Sequence, residues 1–192
     1  MRRPISVMIR LGVLAGAAAG LSACATGGSQ RGTPLAEPVL YEWYGAGMDG
    51  PAAITISLSK QRAEIMLGGQ YAGWMTVATG KDGHSTPPGS YRITELIADK
   101  YSSHYGRLLD AEGNVVDEDA DARKDFPPPG GRFDPAPMPY WMRLTNYGIG
   151  MHGGYIPHPG SPASKGCIRM PKEFAPVIFE RVRVGTPVTI IR

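Results

Sequence analysis

Cysteine is scarce in this sequence: two among 192 residues, Cys24 and Cys167. That scarcity excludes a disulfide-stapled scaffold and a site built from paired cysteines. Histidine is nearly as rare, with four. Charged residues make up only 19% of the chain, 20 Lys and Arg against 17 Asp and Glu. Three of the basic residues, Arg2, Arg3 and Arg10, fall in the first 23 positions with no acid among them, so the remainder carries no net charge. No basic patch of the kind nucleic-acid binding requires is present, and no nucleic acid is expected as a partner. No apolar run is long enough for a membrane-spanning helix, which needs about 20 residues.

What is present begins with a processing signal. Arg2, Arg3 and Arg10 precede an uncharged, Ala-rich stretch from Leu11 to Leu21, the pattern of a signal peptide over residues 1–23. It closes on Leu21-Ser22-Ala23-Cys24, which matches the bacterial lipoprotein box and makes Cys24 the expected lipidation site. The other reading is an ordinary signal peptide cut nearby, with Cys24 incidental. Under the first, the protein is an exported lipoprotein held to a membrane at its periplasmic face. Ala25 rather than Asp after the cysteine favours the outer over the inner membrane. Residues 24–50, rich in Gly, Pro, Ser and Thr, read as a tether, and Tyr41, Trp43 and Tyr44 are expected to touch the domain or a ligand.

The domain spans 51–192. Ile54, Ile56 and Leu58 alternate with polar residues, as do Ala63, Ile65 and Leu67, and Gly68-Gly69 between apolar runs signals a hairpin. Further strands are expected over Tyr71–Thr79, after Thr86-Pro87-Pro88-Gly89, over Met142–Met151 and at Pro187–Ile191. Phe174, Val177 and Ile178 stand at helical spacing, and Pro176 places the regular part of that helix late. The fold class is mainly β, sandwich-like, with one C-terminal helix. Residues 99–139, with the acidic run Asp117–Asp121 and two Pro-rich stretches, read as a long irregular insert. We expect a solvated acidic loop and a partial lid carrying Tyr101, Tyr105, Tyr140 and Trp141.

The chemistry concentrates between Met151 and Met170, where a Gly- and Pro-dense run separates His152 from Cys167 and permits the chain to fold back. If Cys24 is lipidated, Cys167 is left as an unpaired thiol in an exported protein, an oxidation liability unless it is used. One reading makes Cys167 a nucleophile and His152 its base; the other makes Cys167 a small buried hydrophobe and His152 an ordinary loop residue. On the first, Gly153 offers a carbonyl to the second ring nitrogen, Ser164 braces the turn, and backbone N–H groups near Lys165, Gly166 and Cys167 form an oxyanion hole. Arg169 holds a substrate carboxylate or makes a surface ion pair. His84 and His158 read as loop residues, and a zinc site of Cys167, His152 and His158 lacks a fourth ligand, so no metal is expected.

The stretch His152-Gly153, then Ser164-Lys165-Gly166-Cys167-Ile168-Arg169, resembles the active-site signature of the L,D-transpeptidase catalytic-domain family. The run from Ile54 through Ile93 is similar to the first half of that domain. Lys165 departs from the pattern, standing where the family usually has a second histidine. The resemblance implies a cysteine transpeptidase acting on peptidoglycan stem peptides through an acyl-enzyme, without cofactor; a monomer is expected. It also implies acylation by carbapenem β-lactams. The acceptor is left open among a second stem, a protein lysine, a free D-amino acid and water, the last making the enzyme a hydrolase. A peptidoglycan-binding lipoprotein without activity is the remaining alternative. Lys165 either lowers the thiol pKa by its charge or contributes only its backbone amide.

Overall fold

The computed structural model describes residues 38–192. The expected signal peptide, Cys24 and the first part of the tether lie outside the described residues. The tether ends sooner than position 50: β1 (Tyr41–Trp43) pairs antiparallel with β4 (Gln70–Thr76) at the edge of the largest sheet. Its anchor is aromatic. Tyr41 stacks on Phe174 with ring centroids 4.5 Å apart, and Trp43 meets the same ring edge-on at 5.6 Å.

The alternating segments form the expected strands. β2 (Ala52–Ser57) and β3 (Arg62–Leu67) are a hairpin whose Ala52, Ile54, Ile56, Ala63, Ile65 and Leu67 all face inward. With β5 (Gly89–Arg92) and β13 (Pro187–Ile191) they build a six-stranded sheet, ordered β1-β4-β3-β2-β13-β5. The second sheet has four strands: β6 (Glu95–Ile97), β10 (Trp141–Arg143), β11 (Gly150–Gly153) and β12 (Ile168–Met170), ordered β12-β11-β10-β6. Met142, Met151, Ile168 and Met170 from this sheet meet Ile54, Ile65, Met75 and Val188 from the first in one core. The sandwich expectation holds. The single helix among the described residues, α1 (Ala175–Arg181), with proline in its first turn, buries Ala175 and Ile178 and seats Phe174 in the same core.

The insert differs from its expectation. Residues 99–139 are not irregular: β7 (Tyr101–Leu109), β8 (Val115–Asp121) and β9 (Arg132–Pro137) form a three-stranded antiparallel sheet. The acidic run is no solvated loop. It forms most of β8, with Ala120 and Asp121 buried, and Asp121 receives both Nε and Nη2 of Arg123. Prolines hide this sheet from sequence patterning, because β9 contains two; it is an edge strand, where a missing N–H is tolerated.

Candidate active site

Parallel pairing of β11 with β12 puts His152 opposite Arg169 and Met151 opposite Ile168. Cys167, immediately before β12, therefore lies beside the start of β11. The chain from Gly154 to Gly166 supplies the crossover that parallel neighbours need. His152, Cys167 and Arg169 all line one cavity of about 1050 Å³. One wall is the insert sheet, through residues that include Tyr105, Asp119 and Asp134.

His152 is buried, and its Nδ1 lies 2.9 Å from the Gly153 carbonyl. A carbonyl only accepts, so Nδ1 carries the proton and Nε2 is left basic. Trp141 packs beside the imidazole with ring centroids 6.3 Å apart, and the indole N–H donates to Glu95 at 3.0 Å. Burial pushes the His152 pKa down to about 4, with the Gly153 carbonyl opposing that shift. Burial likewise pushes the Cys167 thiol up, opposed by the Gly150 amide and the Arg169 guanidinium. Both shifts favour the neutral partners, so the resting pair is thiol and imidazole rather than thiolate and imidazolium. Sγ donates to the Gly148 carbonyl at 3.6 Å.

The turn before Cys167 is organised by Ser164. Its hydroxyl donates to the Cys167 carbonyl and accepts the Gly166 N–H at 3.1 Å. The Gly166 amide is thus spent, which corrects its assignment to the oxyanion hole. Gly166 is required for its backbone instead: φ is +111°, a region open to glycine. Thr86, which no local pattern singles out, holds the same turn from outside. Its buried hydroxyl accepts the Gly80 N–H at 2.9 Å and donates to the Gly166 carbonyl at 2.7 Å.

Lys165 is engaged by the insert sheet. Its ammonium lies 2.7 Å from Asp119 Oδ1 and 3.0 Å from the Asp119 carbonyl oxygen, and 4.5 Å from the Tyr105 ring centroid. Lys81 approaches the same carboxylate at 3.9 Å. The hydrogen bond from Lys165 holds the Asp119 carboxyl below its ordinary range. The cation felt by Cys167 is Arg169, whose own pKa is lowered by burial. Arg169 reaches only the Tyr155 carbonyl, at 3.4 Å, and among the described residues it forms no ion pair. Of the four aromatic residues expected in the lid, Tyr105 lines the cavity from the insert sheet and Tyr101 is exposed on it; Tyr140 packs on Phe179, and Trp141, largely buried beside His152, also borders the cavity. His84 and His158 are exposed loop residues.

The two-sheet β domain, with a thiol and an imidazole lining one cavity, matches the L,D-transpeptidase fold. Residues 51–190 match the family model for the L,D-transpeptidase catalytic domain (YkuD), and the chain belongs to that family. Among solved structures it resembles an L,D-transpeptidase from Mycobacterium smegmatis (TM-score 0.57, 18% identity, 74% of this chain and 59% of that one). It also resembles one from Enterococcus faecium (0.54, 21%, 74% and 50%) and L,D-transpeptidase 3 from Mycobacterium tuberculosis (0.54, 21%, 73% and 61%). At these identities the likeness is one of fold, and the chain spans between half and three-fifths of those relatives. No curated protein matches the chain.

Proposed function

We propose that this domain is a cysteine-dependent L,D-transpeptidase that acts on peptidoglycan stem peptides through an acyl-enzyme on Cys167. The observation that carries the reading is the His152 Nδ1–H bond to the Gly153 carbonyl, which leaves Nε2 as the basic nitrogen of that ring. A side-chain rotation releases Sγ from the Gly148 carbonyl and presents it to Nε2. The imidazole takes the thiol proton as sulfur attacks the carbonyl between diaminopimelate and D-alanine. The developing oxyanion is met by the amides of Lys165 and Cys167, since that of Gly166 already bonds Ser164. Collapse expels D-alanine, whose nitrogen takes the proton from His152, and leaves a thioester. An acceptor amine then attacks the thioester and gives its proton to the imidazole, restoring the thiol. Arg169, cationic and without a carboxylate partner among the described residues, holds a substrate carboxylate beside the reacting bond.

The same proposal includes export and lipidation at Cys24, holding the protein to a membrane. That arrangement sets the cavity within reach of the wall polymer. Incubating the residue 25–192 domain with purified muropeptides and following products by mass spectrometry tests the activity. Cross-linked, exchanged or trimmed stems that disappear with Cys167→Ala support it, the product class naming the acceptor. Unchanged muropeptides would leave a binding domain.

A further inference from the structure

Gln61 closes the β2–β3 turn, away from the cavity, yet it combines two features that turns rarely carry. Its φ is +47° in a residue with a long side chain, and that side chain is buried. The amide is fully used. Nε2 donates to the Leu58 carbonyl and to Thr79 Oγ1, both at 2.7 Å, and Oε1 accepts the Thr79 N–H at 2.8 Å. The Gln61 backbone carbonyl also accepts the Val77 N–H at 2.8 Å. Main chain and side chain of one residue thus grip Val77 and Thr79 together. The Thr79 carbonyl in turn accepts the N–H groups of Ala163 and Ser164, both at 2.9 Å. Ser164 then holds the Gly166 amide and the Cys167 carbonyl. A plain surface turn needs neither the backbone strain nor the buried amide, and strain of this kind persists only where its surroundings enforce it.

We propose that Gln61 is a positioning residue for the nucleophile, acting through Thr79 on the Ser164–Gly166 turn and so on the direction of Cys167 Sγ. This rests on Cys167 being the nucleophile, but not on the identity of the substrate. Gln61 touches no reacting atom; its effect on reactivity is carried by hydrogen bonds to backbone already described.

The test compares Gln61→Met, Thr79→Val, Thr79→Ser and the Gln61→Met/Thr79→Val double variant. Iodoacetamide alkylation of Cys167 is followed against pH, carbapenem acylation against drug concentration, and thermal unfolding is measured on every protein. Gln61→Met and Thr79→Val are expected to slow the saturating acylation rate about tenfold or more, with apparent drug binding changed less than about threefold. Both should shift the pH profile of alkylation, Thr79→Ser should restore it, and the double variant should be no worse than Gln61→Met alone. Lower melting temperatures with unchanged alkylation profiles and acylation rates would overturn the proposal, as would additive losses in the double variant. Should Gln61→Met fail to fold, the Thr79→Val and Thr79→Ser pair decides by the same readouts. A wild type that carbapenem does not acylate counts against the proposed function alone, because alkylation still reads the geometry of the turn.

Discussion

The Lys165 ammonium lies 2.7 Å from the Asp119 carboxylate, tying the turn before Cys167 to the insert sheet across the cavity. The residue that departs from the family pattern is therefore used as a strut. Its carboxylate partner is well exposed, so the pair alone is worth about 1 kcal/mol or less. Asp119→Ala is expected to weaken apparent substrate binding by a few fold and to speed proteolysis within 99–139. High salt should weaken wild-type binding in the same direction. Unchanged proteolysis and binding would show the strut to be idle.

Charge at the thiol is supplied by Arg169, with Lys165 engaged elsewhere. Removing the guanidinium by Arg169→Ala should raise the thiol pKa further, moving the pH profile of iodoacetamide alkylation to higher pH. Lys165→Ala and Lys165→His should leave that midpoint in place and remain active. A midpoint that follows Lys165 instead would return the lysine to the nucleophile.

His152 makes stability depend on pH. Its pKa is about 4 in the folded state against an ordinary value of 6.5, so the unfolded chain binds the proton more readily. The stabilisation is complete above pH 6.5 and is lost as pH falls toward 4. The gap between the folded and ordinary values is worth roughly 3 kcal/mol. Denaturant titrations of wild type and His152→Gln at pH 7 and 4.5 check this, and the variant should lose less stability between them. The carbapenem acylation rate should correspondingly hold through weakly acidic pH and fall only near pH 4 if His152 is the base.

Lipidation predicts that the full chain partitions with membranes and gains one or more acyl chains in intact mass. Cys24→Ala should abolish both. Soluble, unmodified wild-type protein would show that the cysteine after Ala23 is incidental.

Ile168 sits fully buried in the first strand position after Cys167, within the shared core. Ile168→Ala should cost about 2–5 kcal/mol on unfolding and blunt the acylation rate as well, because the cavity left behind loosens the strand that carries Cys167. Ile168→Val, at about 1 kcal/mol, should largely spare the rate.

Much of this is legible in residue patterns. The hairpin of Ile54 and Ile65, the late helix start at Pro176 and the pairing of His152 with the Gly153 carbonyl all follow from local rules: alternation, proline geometry and the need of a ring N–H for an acceptor. What escapes such rules shares one physical reason, long-range partnership. Thr86 and Gln61 are ordinary polar residues whose importance depends on carbonyls and amides far along the chain. The insert resists local reading because prolines and acids argue against strands, whereas the sheet is sustained by cross-strand partners such as Arg107 and Asp134. Proximity in the chain points Lys165 at the thiol; its nearest carboxylate belongs to Asp119, on another sheet.

The position of β13 has a consequence for how the molecule comes into being. Val188 and Ile190 stand between β2, with which they run parallel, and β5, with which they run antiparallel. The largest sheet is therefore in two pieces until residues 187–191 are available, however long the preceding strands have existed. A growing chain that stops short of Pro187 leaves two strand edges open and cannot settle into its final core. Assembly is thereby postponed until this strand is available, and Cys167 is not set in its finished surroundings before then.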